Sequence, residues 1–490
     1  MMSWQHKGIH VASDINLCLL LTDQHRGDCL GIAGHPVLQT PTLDHLAASG
    51  ARFSHAYSAC PICIPARRTL MTGTRPRTHG LLHNAAADLS LPVLPDLLRR
   101  AGYQTMLSGK LHLHPKRKRY GFEEMKLADG AAGRLEDNDY SRFLNEHGLY
   151  HRFRDRAHGV PGNSWTARPW HLDERYHVAT WAADEAIEML ETRDPTRPFF
   201  LNLSFFHPHP PCTPPSYYFE KYMDQELPEP IEAAWSRRFD EASLGLDPNP
   251  VLQHTLRGRL KTRTQREWVA AYLGSIEHID TQVQRVMQCL PANTLILFCS
   301  DHGEMLGDHQ FIGKQVPYEG SAKVPMIIRP PKEWDLPAGR VLDAPVELMD
   351  VAPTLLDAAG LVGPETFEGR SLLGLMKGEA SRRDYIHGEC TPITGESTGM
   401  HYVTNGLEKF VWWPGEGREQ FFDLEDDPSE RYDLGSAPGY ADRVEAWRSA
   451  MITELADRPE GFVRDGQLRR LQGPTPRFLS PTSVSAFMSD

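Results

Sequence analysis

Cys63-Ile64-Pro65-Ala66-Arg67, followed by Arg68-Thr69-Leu70-Met71-Thr72-Gly73, is the densest cluster of chemistry-capable residues in the chain. Its bland reading is a loop cysteine before a helix whose first turn contains Pro65, where a missing N–H costs nothing. The chemical reading is a nucleophile with a cation nearby. Cys60 also forms a Cys-x-x-Cys pair with Cys63 and invites a redox or zinc assignment. No second pair stands at a zinc-like spacing, and no thioredoxin-like pattern surrounds it. Other polar groups with chemical capacity are Asp23, the pair His207 and His209, and Asp301-His302, each of which directly follows an apolar run.

The elements that would position them follow from the apolar runs. Ile15 to Leu21, Thr105 to Leu107, Pro198 to Phe206 and Thr294 to Cys299 are nearly continuous, as in parallel strands covered on both faces. Segments with helical spacing alternate with them: Leu94 to Ala101, Ala179 to Glu191 and Trp268 to Met287. Strand and helix in alternation predict a doubly wound, mostly parallel α/β sheet flanked by helices. Ligands in such sheets bind outside the carboxyl ends of the strands, where Asp23, His207, His209, Asp301 and His302 fall.

Beyond Gly360 the texture changes to short extended segments, Tyr385 to Glu389, His401 to Thr404, Glu408 to Trp413 and Gln420 to Leu424, followed by a helical stretch from Tyr440 to Ala456. These predict a small α+β unit with an antiparallel sheet. The expected organisation is a catalytic domain over 1–378, a C-terminal subdomain over 379–458 and a tail over 459–490. The tail, rich in Pro, Ser, Arg and Gly, is expected to bury little and to lie free or reach over another subunit of a homo-oligomer.

Bulk properties narrow the function. The chain has 490 residues, 40% of them hydrophobic, enough for one large core and a smaller one. A formal charge of −12 argues against nucleic-acid binding, so any anion must be met by local cations. The basic run Lys116 to Arg119 reads as a solvated loop. No secretory signal precedes Thr22, and the first apolar run is too short to span a membrane. Eight scattered cysteines suit reduced thiols, and the expected location is cytoplasmic.

In these residues and their order the chain resembles the type I, formylglycine-dependent sulfatases of the alkaline-phosphatase-like superfamily. Cys63-x-Pro65-x-Arg67 with its trailing Thr-Gly resembles the sulfatase signature. Leu21-Thr22-Asp23-Gln24 is similar to the metal-binding end of the family's first strand, and Gly109-Lys110-Leu111-His112 to its Gly-Lys-x-His motif. Pro208-His209-Pro210-Pro211 is similar to Pro-His-x-Pro. Ser300-Asp301-His302-Gly303, then Gly307-Asp308-His309 and Gly313-Lys314, resemble the second metal segment and its downstream lysine.

The resemblance implies a hydrolase of small aryl or alkyl sulfate monoesters whose nucleophile is Cys63 after a formylglycine-generating maturase converts it to 3-oxoalanine. The aldehyde hydrate would attack sulfur and form a covalent sulfo-enzyme intermediate. Asp23, Gln24, Asp301 and His302 would hold one divalent ion, Ca²⁺ foremost, with Mn²⁺ and Mg²⁺ also suited to three oxygen donors and one imidazole. Arg67 would hold the nucleophile. Lys110, Lys314 and His209 would bracket the sulfate and the departing alcohol, one of the last two as general acid, and His112 would take the proton that lets sulfate leave. Asn84 resembles an asparagine near the site in some relatives, and Trp170 and His171 lie in a segment expected to overhang the pocket.

The pattern departs from many relatives at two positions, Gln24 where a second Asp is common and His302 where Asn is common. Those departures lean towards phosphonate monoester or phosphodiester hydrolysis, whereas Lys110 and His112 lean towards sulfate. A third alternative is a chain whose Cys63 stays a thiol and which binds metal and anion with little turnover. Pairing of Cys60 with Cys63 under oxidising conditions would be one route to that state.

Overall fold

The computed structural model describes residues 14–129, 134–150, 160, 162–163, 165–239, 255–257, 259–391 and 399–471. Eight strands form the large sheet: β1 (Asn16–Asp23), β2 (Ala51–Phe53), β3 (Gln104–Gly109), β4 (Glu124–Leu127), β5 (Phe199–Pro208), β6 (Thr294–Ser300), β7 (Met326–Arg329) and β8 (Arg340–Leu342). Their order is β8-β2-β7-β6-β1-β5-β3-β4. All neighbours run parallel except β7, which is antiparallel to β2 and β6. The sheet is therefore mostly parallel, as the apolar runs predict.

β1 explains why those runs lack polar alternation. All eight of its residues are buried. Leu17, Leu19 and Leu21 join one core with Ala66, Leu70, Leu94 and Leu98, whereas Cys18 and Leu20 join another with Ala179, Ala183, Val283 and Val286. Side chains alternate between faces, and each face is covered by helices, so both must be apolar. Helices α1 (Cys63–Thr72) and α2 (Leu94–Arg100) cover the first face, and α3 (Val178–Thr192) and α4 (Thr262–Met287) the second. Observed bounds differ from the expected ones mainly by a residue or two. The exception is α4, which starts at Thr262 rather than Trp268 because its first turns are exposed or half-buried and carry no apolar stripe.

The C-terminal sheet comprises β9 (Ile386–Cys390), β10 (Met400–Thr404), β11 (Glu408–Trp413) and β12 (Arg418–Asp423), all antiparallel. One face, with Tyr402, Val411, Trp413 and Phe422, packs on Tyr57, Ile62, Phe311 and Tyr318. The other, with Val403, Phe410, Trp412 and Phe421, packs on α5 (Ala441–Leu455) through Val444, Trp447 and Met451.

The expectation of a tail that buries little fails at its start. Phe462 is 1% exposed, and Val463, Leu468 and Leu471 pack on the same core from a short hairpin. Isolated apolar residues among Gly, Arg and Asp give no periodic signal, yet they suffice to fill the open side of a helix-backed sheet. Residues 472–490 lie outside the described residues. Lys116 to Arg119 are exposed, as a solvated loop should be.

Candidate active site

Four parallel strands deliver their polar residues to one edge. Asp23 ends β1, opposite Pro208 of β5, and Thr22 pairs with Ser300 of β6, which leads into Asp301 and His302. Gly109 of β3 lies opposite Ser204 of β5 and leads into Lys110. Gly109 has φ +102°, and a Cβ there would lie 1.9 Å from the Ser204 carbonyl oxygen, so only glycine lets the chain turn here.

α1 adds the thiol. Cys63 and Arg67 stand four residues apart and share a helix face. All ten residues of α1 are buried, so its orphan N-terminal donors need partners inside the protein. The Ile64 N–H donates to Asn84 Oδ1 at 2.9 Å, and Pro65 has none to satisfy. Asn84, expected beside substrate, thus caps the helix that presents Cys63. The helix N-terminus also favours negative charge at Cys63.

Arg67 is the hub. Its guanidinium donates from Nε to Asp301 Oδ2 at 2.8 Å, from Nη2 to Asp23 Oδ2 at 3.1 Å, and from Nη1 to the Lys110 carbonyl at 2.8 Å and Ser204 Oγ at 3.0 Å. Lys110 Nζ lies 2.6 Å from Asp23 Oδ2. Lys314 Nζ donates to Cys63 Sγ at 3.2 Å and to Gln24 Oε1 at 2.6 Å. His302 Nε2 is 3.2 Å from Cys63 Sγ, and its Nδ1 is 3.0 Å from the Gly303 carbonyl, which orients the ring.

These charges set the protonation states. Burial pushes the Asp23 carboxyl up, but Lys110, Arg67 and Lys314 together hold it well below the ordinary range. Burial and Asp23 raise the Cys63 thiol, and Lys314, Lys110 and His302 outweigh them, so it lies below its ordinary value. His302 is raised because Asp301 outweighs burial. Burial, assisted by Lys110 and Arg67, lowers His112 well below 6.5, and burial with Lys314 does the same to His209. Both are therefore neutral near pH 7.

One oxygen each from Asp23 and Asp301, His302 Nε2 and Cys63 Sγ lie within 4.8 Å of one another, all in buried residues. Two buried carboxylates, with Gln24 Oε1 on the Lys314 ammonium that also reaches Cys63 Sγ, fit a hard divalent cation.

Other expected residues fall differently. His209 is buried with Nδ1 2.6 Å from the Pro210 carbonyl, one residue beyond the end of β5, where Pro208 lies opposite Asp23. His112 has φ +55°, and its backbone N–H donates to Asp129 Oδ1 at 2.8 Å. Its Nδ1 has no hydrogen-bond partner among the described residues. Trp170 is 7% exposed and packs in the core behind the sheet, its indole N–H donating to the Asp173 carbonyl at 3.2 Å. His171 is exposed. The Trp170 indole packs edge-on against His177, the residue before α3, which in turn stacks on His207. The Cys60 thiol donates to the Leu82 carbonyl, as does Cys390, and it lies against Cys390 rather than Cys63.

Residues that sequence reasoning missed are Ser204, Asp129 and Glu304. Ser204 interrupts an apolar strand, Asp129 follows the end of β4, and Glu304 immediately follows the Ser-Asp-His-Gly segment. Each is a polar residue at a strand end or an anomaly within an apolar run, a signal available without the structure.

A model of the sulfatase family matches residues 15–361, and one described as N-sulphoglucosamine sulphohydrolase, C-terminal, matches residues 307–457. An arylsulfatase of Clostridium perfringens is 38% identical over 474 residues, 92% of this chain and 97% of its own. A choline-sulfatase of Rhizobium meliloti is 30% identical, over 93% of this chain and 90% of its own. The crystal structure of a phosphonate monoester hydrolase of Agrobacterium radiobacter superposes with a TM-score of 0.76 at 26% identity, over 90% of this chain and 95% of that one.

A mostly parallel sheet with this strand-edge site defines an alkaline-phosphatase-like hydrolase. Within that class the chain belongs to the sulfatase family and is a sulfuric ester hydrolase. No described helix is long and apolar enough to cross a membrane.

Proposed function

We propose that the chain hydrolyses aryl or alkyl sulfate monoesters at a formylglycine derived from Cys63, beside one divalent ion held by Asp23, Gln24, Asp301 and His302. The observation that carries this reading is the position of Cys63 Sγ, 3.2 Å from both Lys314 Nζ and His302 Nε2 and 3.8 Å from Asp23 Oδ1. An aldehyde hydrate there supplies the attacking hydroxyl, and a divalent ion, Ca²⁺ foremost, supplies positive charge that favours its deprotonation.

The protein's own residues do the rest. Arg67 fixes Asp23 and Asp301 relative to the first turn of α1, so nucleophile and carboxylates move as one body. Lys110 and Lys314, both buried, meet the sulfate oxygens with fixed positive charge, which acts more strongly there than in bulk water. His209 is neutral with Nδ1 turned to a carbonyl, so Lys314 is the donor to the departing alcohol oxygen in this reading. His112, neutral and with a free nitrogen among the described residues, accepts the proton whose removal lets sulfate leave. Residues 1–378 are read as the catalytic domain, 379–458 as a subdomain backing it, and a maturase as the partner required for Cys63.

The second reading is phosphonate monoester hydrolysis, favoured by Gln24 and His302 and by the fold of the Agrobacterium enzyme. Lys110, buried against Asp23, favours sulfate instead. Nitrophenyl sulfate should exceed the nitrophenyl phosphonate ester in kcat/KM with matured enzyme, and the reverse order would establish the second reading.

A further inference from the structure

Gln24 is the residue at which this site departs from a second aspartate, and the structure holds a reason for the departure. Gln24 has φ +67°, its backbone N–H donates to Asp301 Oδ1 at 3.1 Å, and Tyr272 Oη donates to its carbonyl at 2.7 Å. Its side chain is fixed at both ends. Oε1 accepts from Lys314 Nζ at 2.6 Å, and Nε2 donates to Glu304 Oε2. Glu304 is 1% exposed, and its other oxygen accepts from the backbone N–H groups of Leu306, at 3.1 Å, and Gly313.

A side-chain amide has one accepting and one donating end, a lysine only donates, and a carboxylate only accepts. The orientation of the Gln24 amide is therefore dictated by its neighbours. Its oxygen must face Lys314, and its nitrogen must face Glu304. An acid at position 24 would set a second buried negative charge against Glu304, with no proton between them.

We propose that Glu304 is a positioning residue that locks the Gln24 carboxamide with its oxygen directed to the cation-binding side and ties that orientation to the Gly313-Lys314 turn. Residues 24 and 304 then form a matched amide and carboxylate pair, in which either member is functional only with the other. The inference rests on the reading of Asp23, Asp301 and His302 as a metal centre.

The test is a double-mutant cycle on metal-stripped protein titrated with Mn²⁺ by calorimetry, with Asp301→Asn as control. Glu304→Gln keeps the shape and removes the obligate acceptor, and it should weaken Mn²⁺ binding about tenfold or more, the usual scale for groups that orient a ligand. Gln24→Glu should alter affinity and lower the melting temperature of the metal-free protein, because two carboxylates then meet. Combining the two reverses the polarity of the same hydrogen bond, and the double variant should return to within about threefold of the parent. Glu304→Asp, which keeps the charge but withdraws it by one methylene, should weaken binding in the same direction and serves if Glu304→Gln does not fold.

Single effects that simply multiply in the double variant would overturn the proposal, as would unchanged Mn²⁺ affinity in Glu304→Gln. If Asp301→Asn also leaves Mn²⁺ binding unchanged, the metal-centre reading itself falls, and the proposal with it.

Discussion

Arg67 illustrates how much one residue type decides. A planar guanidinium reaches Asp23, Asp301, the Lys110 carbonyl and Ser204 at once, and an ammonium could satisfy only part of that set. Arg67→Lys should fold yet lose about a hundredfold or more in kcat/KM, the scale seen when one preorganised donor is removed. A loss under about threefold would show that the geometry of the carboxylates does not depend on the guanidinium. His112 sets the pH response. It must be neutral to accept a proton, and burial with Lys110 and Arg67 nearby lowers it well below 6.5. It gains charge only when the pH falls through that lowered value, and it acts after the alcohol has left, so the acid limb of kcat should lie below the ordinary histidine range. Activity on an aryl sulfate should stay level from about pH 7.5 to 6.5. A single-proton decline centred near 6.5 would contradict this assignment.

At the level of elements, the site is where strand ends and one helix start converge. Asp23 and Asp301-His302 stand out in the sequence because each follows an apolar run, and Cys63 because it opens a helix, whereas Lys110, His112 and Lys314 were expected from the resemblance alone. What sequence could not convey is who touches whom. Asn84 stands twenty-one positions from Cys63 in sequence, and only the fold reveals that it closes the Ile64 N–H. Likewise, only the fold reveals that the Trp170 indole packs with core residues such as Trp181. Asn84→Ala should remove a helix cap, at a cost of about 1 kcal/mol, and by loosening the first turn around Cys63 lower kcat by about tenfold. Asn84→Asp, which keeps the acceptor, should retain most of both, measured by thermal melting and steady-state kinetics.

For the molecule as a whole, the C-terminal sheet is held between two cores, one shared with Tyr57 and Ile62 near Cys63 and the other with α5 and the hairpin after Phe462. Lys409, fully buried, bridges Glu319 at 2.7 Å and Glu430 at 2.8 Å across the first of these. The strands and α5 were legible from spacing and turn residues, whereas the hairpin was not, because its buried residues are too few to make a pattern. Phe462→Ala should destabilise the protein by about 3–5 kcal/mol, as for a large aromatic removed from a core. A melting temperature unchanged in that variant would return the hairpin to the status of a loose tail.

The central claim concerns the chemical state of Cys63, and mass spectrometry of the proteolytic peptide that contains it is the most direct measurement. Protein co-expressed with a formylglycine-generating maturase should yield a peptide about 18 Da lighter than the thiol form. The lighter fraction should rise in step with turnover of nitrophenyl sulfate. Full turnover by protein in which that peptide carries only the unmodified thiol would contradict the account.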